Sequence, residues 1–161
     1  MARVSIVVVD RKRFDLPLEA DANSIVFRKR VTYPDFAAAA TTGNLDLSGF
    51  PGGLVLERCY MSLITAFSGG AVSACTLSAG TTSSAATYLG ATNVFTGATA
   101  GGAVTVAAGA GLGSFLGANA TPTAKGTIRI QCLTTSANTN VLTAGKADLY
   151  FVLRAFSVRT S

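Results

Sequence analysis

Side chains that commonly carry acid, base or nucleophilic chemistry are scarce in this sequence. The chain of 161 residues has no histidine, which excludes Ser-His-Asp and Cys-His nucleophile activation and histidine general-base catalysis. Of its eight carboxylates, only Asp46, Glu57 and Asp148 lie beyond residue 36, and their spacing indicates no acid and base pair. We therefore assign no catalytic residues and expect that the protein is not an enzyme.

The three cysteines, Cys59, Cys75 and Cys132, are the remaining candidates for chemistry. They are far apart and form no CxxC pair, so their spacing does not favour a zinc site. Their apolar or alternating surroundings are typical of buried free thiols, which fits synthesis in a reducing compartment. The glycine-rich stretch 109–117 matches neither of the common phosphate-loop patterns. We expect no metal and no cofactor.

Two short basic clusters are the candidate residues for binding a partner. Five carboxylates are interleaved with them in the first 36 residues, whereas nucleic-acid binders usually concentrate Lys and Arg and offer aromatics for stacking. We therefore expect an acidic protein surface as the partner and no direct nucleic-acid binding. The candidate residues are Arg11, Lys12, Arg13, Arg28, Lys29 and Arg30.

The elements that position these residues are predicted to be strands. The clearest signal is period-two alternation near the C-terminus, where Ile128, Ile130 and Cys132 share one face of a strand. Stretches 36–40 and 85–95 are the places where a helical turn or two could form. The predicted strands are Ser5–Val9, Ser24–Val31, Leu54–Phe67, Ala71–Ala79, Ala103–Ala107, Lys125–Thr134 and Lys146–Val158.

Two pairs of these strands are predicted to form hairpins. Ser68–Gly70 gives a glycine turn between Leu54–Phe67 and Ala71–Ala79. The connector Thr135–Gly145 carries Asn and Gly residues suited to a turn between the last two strands, which predicts a final antiparallel hairpin. Several strands separated by turns indicate an all-β sandwich or barrel. We expect residues 37–161 to form one domain, with residues 1–36 as a charged N-terminal arm or as edge strands.

A long segment of the chain carries no charge. From Cys59 to Ala124 there is no Asp, Glu, Lys or Arg. Either other subunits cover part of this segment, or its surface is made polar by Ser, Thr and Gly alone. The first alternative predicts a homo-oligomer. No apolar run is long enough for a membrane span, and the apolar run after Met1 is too short for a signal peptide, so no membrane partner is expected.

An order of short motifs in residues 54–159 resembles small virion structural proteins of tailed bacteriophages, in particular capsid decoration (cement) proteins and head accessory proteins. The resemblance implies a jelly-roll-like antiparallel β-sandwich, often assembled as a homotrimer, that binds the major capsid protein. It implies no catalytic residues. The motifs are Met61–Gly70, Thr76–Thr81, Tyr88–Thr92 and Leu133–Gly145, the last leading into the strand Ala147–Arg154.

The function expected from the sequence is therefore structural. We expect a decoration protein that is made in the host cytoplasm and then stabilises the capsid lattice from the virion surface. The alternative is a binding module of a tail or head fibre that recognises host carbohydrate. Sugar sites favour aromatic faces, and this chain, which has no Trp, offers Tyr33, Tyr60, Tyr88 and Tyr150 for that role.

Overall fold

The computed structural model of the chain describes residues 6–7, 25–50, 53–96, 104–105, 116 and 126–155. These residues form strands joined by short connections and two single-turn 3₁₀ helices, Tyr33–Phe36 and Thr139–Val141. The strands are β1 (Ile6–Val7), β2 (Ile25–Thr32), β3 (Thr42–Phe50), β4 (Leu54–Ser68), β5 (Ala74–Gly80), β6 (Leu89–Asn93), β7 (Val104–Thr105), β8 (Gly126–Thr135) and β9 (Ala144–Ala155).

The strands form two sheets. Sheet A has the order β1-β2-β9-β4-β7 and sheet B the order β3-β8-β5-β6. All the pairs are antiparallel except β1 with β2, which is parallel. From β2 onward the chain crosses between the sheets at every connection except β5 to β6. Apart from the two-residue strand β1, each sheet has four strands, and the orders β2-β9-β4-β7 and β3-β8-β5-β6 are those of a jelly roll. The predicted all-β, jelly-roll-like sandwich is therefore confirmed.

The core lies between the inner faces of the two sheets. In sheet A, the pairing of β2 with β9 sets Phe27 opposite Phe151, and both rings are buried. In sheet B, Ile128 and Ile130 of β8 are fully buried, as their alternation predicted. Along β2, β8 and β9, alternate residues therefore fill the interior, and most of the residues between them lie on the outer faces of the sandwich.

Neither predicted hairpin forms. β4 belongs to sheet A and β5 to sheet B, and likewise β8 belongs to sheet B and β9 to sheet A. The connector from β8 to β9 instead packs against the connector from β2 to β3. Thr139 donates its amide to the Ala40 carbonyl at 2.8 Å and its hydroxyl to the Phe36 carbonyl at 2.7 Å, while Asn140 donates its amide to the Ala38 carbonyl at 3.1 Å. The positions of β4, β5, β8 and β9 were predicted, but their strand partners were wrong.

Three further predictions need correction. Stretch 85–95 holds the strand β6 rather than helix, and the helical turn expected at 36–40 lies at Tyr33–Phe36 instead. The strand β3 was not predicted at all. Residues 25–32 pair along their whole length with β9 and so belong to the sandwich, which agrees with the edge-strand alternative for this segment and not with the arm. Ile6–Val7 pairs with β2 from the other side, and the rest of 1–24 lies outside the described residues.

Candidate functional site

The outer face of sheet A brings together side chains that are distant in sequence. The pairing of β2 with β9 sets Arg28 opposite Tyr150, and the pairing of β9 with β4 sets Tyr150 opposite Tyr60. Their neighbours Phe27, Phe151 and Cys59 are buried, so alternation turns the row Arg28, Tyr150 and Tyr60 outward, where each side chain is partly exposed. Two tyrosines and an arginine therefore line up across three strands.

The next row of the same face is partly apolar. Val26 lies opposite Val152, and Val152 lies opposite Arg58, which is exposed. The Arg58 guanidinium donates a hydrogen bond from Nη1 to the Tyr60 hydroxyl at 3.3 Å. This contact joins the two rows and holds the charged end of Arg58 beside the tyrosines.

A single buried carboxylate organises the basic residues on this face. Asp148 of β9 accepts two hydrogen bonds from Arg30, from Nε at 2.8 Å and from Nη2 at 3.0 Å. Arg28 Nη1 lies 3.8 Å from the same carboxylate, whose side chain is only 6% exposed. The hydrogen bonds from Arg30 lower the pKa of Asp148 below its ordinary value, with the charges of Arg30, Arg28 and Lys146 adding to the effect and burial opposing it.

We call this surface the Arg–Tyr face. It holds five basic side chains against two carboxylates, so it is net positive even though Arg154 pairs with Glu57 at 3.2 Å. Tyr and Arg are the residues most enriched where proteins bind each other tightly, because they combine large contact area with directional hydrogen bonding. Its residues are Val26, Arg28, Arg30, Glu57, Arg58, Tyr60, Lys146, Asp148, Tyr150, Val152 and Arg154.

The outer face of sheet B has a different character. Arg129 donates from Nε and Nη2 to the two oxygens of Asp46, both at 2.7 Å, and from Nη1 to the Thr82 carbonyl at 2.9 Å. Beside this pair, the Gln131 amide donates to the Asn44 side-chain oxygen at 3.0 Å. The polar groups here satisfy one another and the charges of Asp46 and Arg129 cancel. An acidic partner would therefore be attracted to the Arg–Tyr face rather than to this one.

An open groove of about 390 Å³ lies at one end of the Arg–Tyr face. Tyr33 and Pro34, from the first 3₁₀ helix, form one part of its lining, and Lys146 of β9 supplies a cation. Thr32 lies opposite Lys146 in the β2–β9 register. The remaining lining residues are Thr65, Ala144 and Gly145.

The basic residues predicted from the sequence have different positions. Arg28 and Arg30 lie on the Arg–Tyr face, whereas Lys29 lies opposite the buried Leu149 on the other side of β2. The cluster 11–13 is outside the described residues. Sequence reasoning missed the other members of the face, because it placed β4 and β9 in separate hairpins and so did not identify the strands that flank β9.

Comparison with known proteins gives no relative for this chain. No protein-family model matches the sequence, and neither the curated proteins nor the solved structures include a significant match. Within the described ranges, no helix is long and apolar enough to cross a membrane, and no group of three or more His, Cys, Asp or Glu residues is placed to hold a metal ion.

Proposed function

We propose that this chain is a non-enzymatic virion structural protein, a decoration or cement protein that binds the major capsid protein lattice and stabilises it. The observation that carries the proposal is the Arg–Tyr face on a jelly-roll body. Jelly rolls recur in viral capsid and lectin domains, where the sandwich presents a rigid surface to other proteins or sugars. A cationic face with tyrosines at its centre suits an acidic protein surface, because charge complementarity steers the encounter and buried aromatic rings retain the partner.

The proposal includes assembly as a homotrimer at the virion surface, after synthesis in the host cytoplasm. The charge-free span from Cys59 to Ala124 supports it, and within that span Ile64 of β4 is 36% exposed. Contact between subunits would remove such apolar surface from water. Light scattering at micromolar concentration should give three times the 16.3 kDa chain mass, whereas a persistent monomer would contradict this part of the proposal.

Reconstitution on particles tests the proposed function. Particles of a virus from whose genome this gene is deleted should bind the purified protein in co-sedimentation, and cryo-EM should then place it on the capsid lattice. The double variant Arg28→Ala and Arg58→Ala should bind at least about tenfold more weakly, since it removes two of the cations that flank the tyrosines. Particles that lack the protein even when the gene is present would contradict the proposal.

A matched control variant separates the effect of the Arg–Tyr face on binding from the effect of net charge. Ser48→Glu together with Thr135→Glu changes the net charge by the same two units, and both residues are exposed in strands of sheet B. This variant should bind particles nearly as the wild type does, apart from a small loss at low salt. Equal loss in both double variants would show that net charge alone governs binding and that the Arg–Tyr face has no special part.

The groove at Tyr33 supports the second candidate function, recognition of host carbohydrate by a tail or head fibre. An aromatic ring beside a cation and threonine hydroxyls is a combination suited to an anionic sugar, because the ring stacks on the sugar face and the lysine pairs with its carboxylate. Screening the protein on a glycan array tests this candidate. A hit that Tyr33→Ala abolishes would favour it over capsid decoration.

A further inference from the structure

Two of the three cysteines are in contact on the inner face of sheet B. Cys75 lies on β5 and Cys132 on β8, both side chains are fully buried, and their sulfur atoms are 3.4 Å apart. Both are free thiols. A disulfide requires the two sulfurs to approach to about 2.05 Å, so the sulfurs must move closer by little more than one ångström, with the side-chain rotation and strand adjustment that the geometry of the bond demands.

The strand register produces this contact. The pairing of β5 with β8 sets Leu77 opposite Cys132 and Cys75 opposite Thr134. The two cysteines are therefore diagonal neighbours on the inner face of one sheet, close enough for their side chains to meet. Cys59 has a different environment, because it lies on β4 opposite Phe151 in sheet A.

We propose that Cys75 and Cys132 form a disulfide bond when the chain meets a low-molecular-weight disulfide such as oxidised glutathione. The Cys75 thiolate attacks one sulfur of oxidised glutathione and releases a glutathione thiolate. The Cys132 thiolate then attacks the Cys75 sulfur of the mixed disulfide and releases the second. The two cysteines lose two protons and two electrons, and oxidised glutathione is reduced to two molecules of glutathione.

In the folded protein the two thiols are joined by a hydrogen bond. Either sulfur can donate in this contact; a hydrogen bond from Cys132 lowers the pKa of the Cys75 thiol, and burial opposes that effect. Burial acts in the opposite direction at Cys59 and raises its pKa to about 12. Because both partner thiols are buried, glutathione reaches them when sheet B opens locally or while the chain folds.

The bond would lock the two inner strands of sheet B. β8 and β5 are adjacent in the sheet but 57 residues separate the two cysteines in sequence. Folding and disulfide formation are thermodynamically linked. Folding raises the equilibrium constant for forming the bond by the same factor by which the bond raises the equilibrium constant for folding. This inference does not depend on the proposed function.

Redox titration of the full-length protein tests the inference. The Cys59→Ala variant is equilibrated by refolding in glutathione buffers of graded composition, and a parallel series is kept unfolded in urea. Remaining thiols are alkylated and the intact mass is measured. The ratio of [GSH]² to [GSSG] at which half of the protein holds the disulfide should be at least roughly tenfold higher in the folded series than in the unfolded series. The reason is that the native strand register brings the two sulfurs together. Identical titrations would overturn the proposal.

Wild-type protein gives a second measurement that does not depend on the variant folding. No Lys or Arg separates Cys59 from Cys75, so trypsin leaves both in one peptide, whereas chymotrypsin can cleave between them after Phe67. The chymotryptic map of oxidised protein should contain a link from Cys75 to Cys132. A link that uses Cys59, or a disulfide between two chains as the main product, would overturn the proposal.

Oxidation should raise the melting temperature of wild type but not of Cys132→Ala.

Discussion

Arg30 and Asp148 form a two-point ion pair across β2 and β9, with donor–acceptor distances of 2.8 and 3.0 Å. The carboxylate is almost fully covered, with 6% of its side chain exposed, while the Arg30 side chain remains 50% exposed. The pair thus anchors the Arg–Tyr face: the carboxylate is covered by the neighbouring side chains of the outer face, while half of the Arg30 side chain remains exposed to solvent.

Asp148→Asn should destabilise the fold. The substitution removes the charge that holds Arg30, Arg28 and Lys146 together and leaves a buried amide with fewer strong hydrogen bonds. We expect a loss of about 1–3 kcal/mol in the free energy of unfolding, measured by urea denaturation. Asp46→Asn is the matched control, because Asp46 also accepts two hydrogen bonds from an arginine but its side chain is 40% exposed. Its loss should be below about 1 kcal/mol.

Stability should also fall in acid. The folded protein holds the pKa of Asp148 and of Asp46 below the ordinary value of an aspartate, so each group contributes stability that is fully present above the unfolded pKa. That contribution is lost as the pH falls through the lower, folded pKa. The unfolding free energy measured from pH 7 down to about pH 2 should therefore decline below about pH 4.

The Asp148→Asn variant shows how much of the stability lost in acid comes from Asp148. Asp148→Asn should be less stable at pH 7 but should show a shallower decline in acid, so that its curve approaches that of the wild type. A decline of equal steepness in the variant would mean that other carboxylates produce the acid loss.

Phe151→Ala should be among the most damaging single substitutions. The ring is fully buried in β9 and stacks on Phe27 with 6.0 Å between ring centroids. Removing it leaves a cavity between the sheets, and we expect a loss of roughly 3–5 kcal/mol in unfolding free energy. Tyr150→Ala changes the adjacent residue on the outer face and should cost clearly less. Equal melting temperatures for the Phe151 variant and the wild type would rule out this position for the ring.

Alternation along a strand could be predicted from the sequence because it depends only on neighbouring residues. Ile128 and Ile130 were therefore assigned correctly to a buried face. Strand pairing depends instead on where each connection leads, and in a jelly roll most connections cross to the other sheet. The hydroxyl of Thr139, which bonds to the Phe36 carbonyl 103 residues away, fixes one such crossing, and no local pattern predicts a contact of that kind.

The same limit applies to the candidate site. The basic cluster that contains Arg28 and Arg30 is visible in the sequence, but its meeting with Tyr150 and Tyr60 needs the order β2-β9-β4. The need for a small residue at a given position also depends on contacts that are distant in sequence. Gly145, predicted as a turn residue, lies in β9 with a φ of 143°, and a Cβ there would collide with the ring of Phe67, so both the backbone conformation and the close packing require glycine.

Deleting residues 1–23 should leave a folded sandwich that binds particles more weakly. All eight strands of the jelly roll, β2 to β9, follow this segment, and the only described contribution from residues 1–23 is the two-residue parallel pairing of β1 with β2. Circular dichroism should show an intact β spectrum and a cooperative melt. Binding should fall because the segment carries the basic cluster Arg11–Arg13, which is suited to steering an acidic partner.

Substituting that cluster alone separates charge from strand pairing. Arg11→Ala, Lys12→Ala and Arg13→Ala together should weaken particle binding mainly at low salt, where screening is least, and should leave the melting temperature within a few degrees of wild type. The truncated chain should bind more weakly at both low and high salt if β1 pairs with a neighbouring subunit, because the hydrogen bonds of an added strand resist screening. A truncated chain that does not fold would mean that residues 1–23 belong to the sandwich, and the arm would then be the wrong description of them.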